Sequence, residues 1–144
     1  MSYYTNIVNV DFTLKKKNLK KAYTAMCKLN KQDELKTGGS WGEGGKQLQV
    51  WFSWMDPDYP KTCKTAQEIL EQLGFDVETN DNGDIINLQY DGKTGAEEHF
   101  MKVIAPYVEP GSYIEWKGEE EYDHYKFEFD GKKMEHKQGM VSYY

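Results

Sequence analysis

Arginine is absent from this chain: all 18 basic residues are lysine. Arginine supplies the flat, rigid fork that reads guanine edges and grips phosphates through two bonds at once. Its absence argues against a sequence-reading nucleic-acid binder. Cysteine is scarce, with Cys27 and Cys63 in no C-x-x-C pattern. That leaves a disulfide scaffold or a cysteine-rich zinc cluster without support, and the expectation is reduced, buried thiols. Long apolar runs are missing too. None approaches the roughly 18 residues that a membrane helix needs, and the opening Met-Ser-Tyr-Tyr-Thr-Asn has no basic segment leading into an apolar one. The expected location is the cytoplasm, with no membrane partner.

Catalytic signatures are equally sparse. Histidine occurs only as His99, His124 and His136. His124 and His136 are expected to approach each other across the last hairpin beside Asp123 or Glu135, but a metal site needs several ligands at fixed spacing, and no such motif is present. Cys27 paired with a distant histidine is a weaker reading than a buried helix thiol. Gly38-Gly39-Ser40-Trp41-Gly42-Glu43-Gly44-Gly45-Lys46 has the glycines of a phosphate loop. It lacks the spacing, because Lys46 is followed by Gln47 and a strand instead of a helix. No catalytic residue, metal or cofactor is predicted.

What is present is aromatic and charged. The 144 residues fit one domain, and 15% of them are Phe, Trp or Tyr. These rings offset a polar mean hydropathy of −0.85, because each removes a large apolar area from water when buried. A chain of this length buries roughly two-thirds of its unfolded surface. Charge is distributed unevenly. Residues 1–64 hold 11 Lys against 6 acidic residues, whereas residues 65–144 hold 7 Lys against 18, for a net −6 overall. Such a dipole describes a binding surface better than a reaction centre.

Periodicity predicts the order β-α-β-α-β-β-α-β-β, with one more short strand at 132–137. Tyr4, Val8, Val10 and Phe12 alternate on one face of a first strand. A lysine-rich helix follows, with Asn18 as N-cap and Leu19, Ala22, Met26 and Leu29 inward. Residues 37–46, half of them glycine, read as a flexible loop. Leu48, Val50, Phe52 and Trp54 mark a strand with Trp54 in the core. A helix carrying Ala66, Ile69, Leu70 and Leu73 ends at Gly74. Asn82-Gly83 turns a hairpin, and a helix over 95–108 presents Phe100, Val103, Ile104 and Tyr107. Ile114 and Trp116, then Tyr125, Phe127 and Phe129, define the last strands, and the tail after Gly139 is expected to be loose. The expected fold is α+β: a largely antiparallel, ferredoxin-like sheet over 47–137, with helices on one face and a C-terminal hairpin. Residues 1–46 supply an N-terminal strand, helix and loop.

Gly111-Ser112-Tyr113-Ile114-Glu115-Trp116-Lys117-Gly118-Glu119, with Tyr125-Lys126-Phe127-Glu128-Phe129-Asp130-Gly131-Lys132, resembles the YubB-like ferredoxin domain of phages, plasmids and other mobile elements. The shared features are a G-S-Y-I-E strand, an aromatic-alternating strand and an F-D-G turn. The resemblance is strongest over 97–133 and does not reach residues 1–60. It implies a fold and a genomic setting, not a catalytic group. An AT-rich coding genome, as in a low-GC bacterium or its phages, accounts for lysine in place of arginine. By analogy, a small acidic protein of this kind resembles anti-defence machinery.

The leading expectation is therefore a non-enzymatic binding protein that inhibits a bacterial defence system, anti-CRISPR-like, by occlusion. Glu119, Glu120, Glu121, Tyr122, Asp123, Glu128, Asp130 and Trp41 would contact the partner, a host defence protein such as a Cas effector. Glu115, Glu128 and Asp130 would share one sheet face and imitate phosphates. Direct nucleic-acid binding is not expected, and monomer and homodimer stay open. The alternative is a nucleotide or signalling-molecule binder using Lys16, Lys20 and Trp41; a second alternative is a small nucleotide-processing enzyme. Each acidic or basic run also reads as an ordinary solvated face.

Overall fold

Local pattern and long-range pairing meet in the following order: β1 (Tyr4–Asp11), α1 (Lys16–Leu29), β2 (Gly38–Trp41), β3 (Gln47–Trp51), α2 (Tyr59–Thr62), α3 (Ala66–Leu73), β4 (Asp76–Thr79), β5 (Ile85–Gln89), β6 (Asp91–Lys93), α4 (Glu97–Ile104), β7 (Tyr113–Gly118), β8 (His124–Phe129) and β9 (Met134–Gln138). The computed structural model describes residues 3–45, 47–120 and 123–139, and of Trp41, Gln47 and Leu48 the backbone alone. The fold is α+β. Its main sheet runs β6-β1-β7-β8-β9 and every neighbouring pair is antiparallel. Two two-stranded ribbons, β2-β3 and β4-β5, stand beside it.

The alternation of β7 and β8 sets the inner face. Ile114 and Trp116 are fully buried, and Phe127 and Phe129 nearly so. Trp116 lies within 5.4–6.0 Å, ring centre to ring centre, of Phe75, Tyr90, Tyr125 and Phe127. The helices bring their stripes to the same core: Ala22, Met26 and Leu29 from α1, Ile69, Leu70 and Leu73 from α3, Phe100, Met101 and Ile104 from α4. Thr65 starts α3 by accepting the Glu68 amide at 3.1 Å, and Gly74 ends it at φ +124°, a region glycine enters freely.

Several expectations require correction. A bulge between Ile7 and Asn9 interrupts the β1–β7 register. One extra residue reverses which side chains face inward, so Thr5 and Ile7 are buried while Tyr4 and Val8 are 47% and 49% exposed. Asn18 does not cap α1; Lys15 holds that position without a side-chain cap, and Asn18 Nδ2 donates to the Tyr107 carbonyl at 3.2 Å. The glycine-rich stretch is partly a strand, because β2 finds β3 as its partner. Gly38 faces Trp51 there, and the indole lies where a Cβ would stand. Trp54 is 45% exposed, not core: a turn closed by the Met55 amide on the Phe52 carbonyl at 2.8 Å ends the alternation. Strand grouping also differs. β1 lies inside the main sheet between β6 and β7, while the strand at 47–51 pairs with β2 instead. The three-residue β6 gave no periodic signal.

Candidate functional site

The C-terminal hairpins place both carboxylates and ammonium groups on the outer sheet face. Opposite Glu115 stands Lys126, and opposite Glu128 stand Tyr113 and Glu135. Lys126 Nζ reaches Glu115 at 3.8 Å and Glu128 at 3.5 Å. Lys137 Nζ reaches Glu128 at 2.5 Å and Glu135 at 3.8 Å. The Lys137 ammonium, helped by Lys126, holds the Glu128 carboxyl below its usual range. Glu115 and Glu128 therefore share a face as expected, but within a ladder of mixed sign. Asp130 serves the turn: its Oδ1 accepts the Lys132 and Lys133 amides, both at 2.8 Å, which lowers its pKa. Asp123 accepts the Tyr3 hydroxyl. Glu119 Oε1 accepts the Tyr4 amide at 2.9 Å. Glu119 and Glu120 are exposed, and neither has a lysine partner among the described residues. Glu121 and Tyr122 lie outside the described residues, as does the Trp41 side chain. His136 meets Glu98 at 2.7 Å instead of His124, and among the described residues no cluster of three His, Cys, Asp or Glu is placed to hold a metal.

The lysines of α1 stand differently. Lys17, Lys20 (or its neighbour Lys21), Thr24 and Lys28 recur at helical spacing, so they form one stripe. With Ala25 and Tyr107 they line a surface groove of about 520 Å³. Lys17, Lys20, Lys21 and Lys28 are exposed, and none has a carboxylate partner among the described residues. Lys15 does: it meets Glu109 at 3.0 Å. Lys16 donates its backbone amide to Asp84 at 2.8 Å and lays its side chain over Gly83; it does not line the groove. The first turn of α1 contains no acidic residue and the N-cap no side-chain acceptor. Helix N-termini carry partial positive charge, and a cation there costs roughly 0.3–1 kcal/mol. Of the groove lysines only Lys17 stands in that first turn; Lys28 stands in the last, where a cation is favoured. Sequence reasoning found Lys20 and the basic run but missed Tyr107, which arrives from the turn after α4.

No family model, curated protein or solved structure matches this chain. The likeness to the YubB-like ferredoxin domain rests on the residues quoted for it. Among the described residues, no helix is long and apolar enough to cross a membrane.

Proposed function

We infer that the protein is a non-catalytic binding module that takes a short single-stranded oligonucleotide on the lysine face of α1. One contrast carries the reading. The carboxylates of the β8–β9 hairpin are matched by lysines on the same face, whereas Lys17, Lys20, Lys21 and Lys28 line an open groove unpaired among the described residues. Ammonium groups on flexible stems neutralise phosphates without reading bases, which agrees with the absence of arginine. The ring of Tyr107 offers a stacking surface at the groove. This reading departs from the expectation of no direct nucleic-acid binding; it keeps Lys20 of the nucleotide-type alternative, leaves out Lys16 and Trp41, and adds Lys17, Lys21, Lys28 and Tyr107. The test is fluorescence anisotropy with short labelled oligothymidine and scrambled sequences. Saturable, sequence-tolerant binding that disappears when the four lysines become glutamine supports the reading; equal binding by that variant refutes it.

A second reading is supported by the exposure of Glu119 and Glu120 on the β7–β8 connection. It is occlusion of a basic surface on a bacterial defence effector, of the Cas class, in the host cytosol. Charge reversal at Glu119 and Glu120 separates the two readings. It slows association with such an effector under the second and leaves oligothymidine binding in place under the first.

A further inference from the structure

Ser53 holds a backbone conformation that side chains avoid. Its φ of +47° makes it the one non-glycine residue with positive φ among the described residues. Its hydroxyl is buried and has no hydrogen-bond partner. Strain and an unsatisfied polar atom at one residue need an explanation, because most buried hydroxyls are bonded and strain persists only where its surroundings enforce it. Ser53 lines a cavity of about 380 Å³ where four distant stretches converge: Tyr3 before β1, Thr37 and Gly38 opening β2, Ser53 and Trp54 in the turn after β3, and Lys93 to Gly95 leading into α4.

Glycines let these walls close. A Cβ on Gly95 would run into the Ser53 hydroxyl and stand 3.1 Å from the Trp54 ring, and one on Gly38 would stand 2.8 Å from the Ser53 carbonyl. The β6–α4 turn is fixed from beneath. Buried Glu97 accepts the Thr94 hydroxyl at 2.5 Å and the Gly95 amide at 2.7 Å, so its carboxylate is already satisfied. Trp54 stays 45% exposed, and Lys93 has no carboxylate partner among the described residues. The cavity therefore presents a ring face and a free cation, with the Ser53 hydroxyl covered by Gly95 in its wall.

We propose that this cavity binds a small anion carrying a flat ring, of the nucleoside monophosphate class. The ring stacks on Trp54, which the strained turn at Ser53 holds outward, and the phosphate meets Lys93. The volume falls within the roughly 300–1,000 Å³ of small-molecule sites. The site shares no residue with the α1 groove, so it stands or falls independently of the oligonucleotide reading.

The experiment titrates AMP, GMP, CMP and UMP against the full chain, following tryptophan fluorescence and thermal midpoint, with ribose 5-phosphate and inorganic phosphate as separate arms. The expected result is saturable quenching by at least one nucleotide, weakened about tenfold or more by Trp54→Ala. Lys93→Gln reduces binding, and glutamines at Lys17, Lys20, Lys21 and Lys28 leave it intact. The proposal is overturned by no saturation up to about 10 mM, by full affinity in Trp54→Ala, by equal affinity for inorganic phosphate alone, or by loss of binding in the α1 variant.

Discussion

Replacing Lys17, Lys20, Lys21 and Lys28 together by glutamine isolates the charge of the α1 groove. Glutamine keeps the side-chain length and a good helix propensity, so the fold should persist. The stripe from Lys17 to Lys28 covers about 16 Å of helix axis at about 1.5 Å per residue. Four lysines that each neutralise a phosphate displace about four counterions, which for single strands gives a slope of log affinity against log salt near −2.8. Raising salt from about 50 to about 200 mM then weakens oligothymidine binding about fifty-fold. In the glutamine variant the slope should flatten toward zero and the low-salt affinity fall by more than tenfold. Anisotropy titrations at several salt concentrations read both quantities, with circular dichroism confirming the fold. A wild-type slope shallower than about −1, or a variant slope as steep as the wild type, refutes the assignment of phosphate contacts to these lysines.

Trp116→Ala should lower stability by about 3–5 kcal/mol in urea unfolding, because the fully buried indole touches four other rings; a loss under about 1 kcal/mol contradicts that packing. Gly74→Ala should cost about 1–3 kcal/mol, since φ +124° is closed to alanine and its Cβ would stand 2.9 Å from the Tyr90 ring; an unchanged urea midpoint counts against this. Stability should also fall in acid. The Lys16 amide lowers the Asp84 pKa, and the turn amides of Lys133 and Lys132 lower that of Asp130. Lys137 lowers that of Glu128. At Glu98, burial pushes upward but hydrogen bonds to Lys102 and His136 outweigh it. Carboxylates depressed on folding stabilise fully above their unfolded values of about 4 and lose that contribution as pH falls through the folded values. Urea midpoints should therefore decline below about pH 4.5, and a midpoint that rises there contradicts the sign.

The hairpins and helix stripes were legible because each is a local pattern. Asn82-Gly83 and Asp130-Gly131 supply φ of +88° and +93° at their glycines, and the inward residues of α1 and α3 follow from a spacing of about 3.6 residues. The lysine groove was half legible: its charge shows in the sequence, but Tyr107 joins it from residues far along the chain. The net sign of the outer hairpin face was not legible. A run of carboxylates says nothing about which lysines register opposite them, and cross-strand pairs such as Glu115 with Lys126 decide its sign. Trp54 was misjudged for a related reason, since alternation continues on paper through a turn at Ser53 that only neighbouring segments impose.

Composition, element types and turn positions were thus written in short-range chemistry: side-chain periodicity, glycine at positive φ and a threonine cap. Partnership was not. The union of β1 with β7 across more than a hundred residues, the bulge that turns Val8 outward, the pairing of the hairpin charges and the cavity around Ser53 all arise where distant strands come into register. A strand offers the same edge groups to every possible neighbour, so burial in the assembled core selects among them.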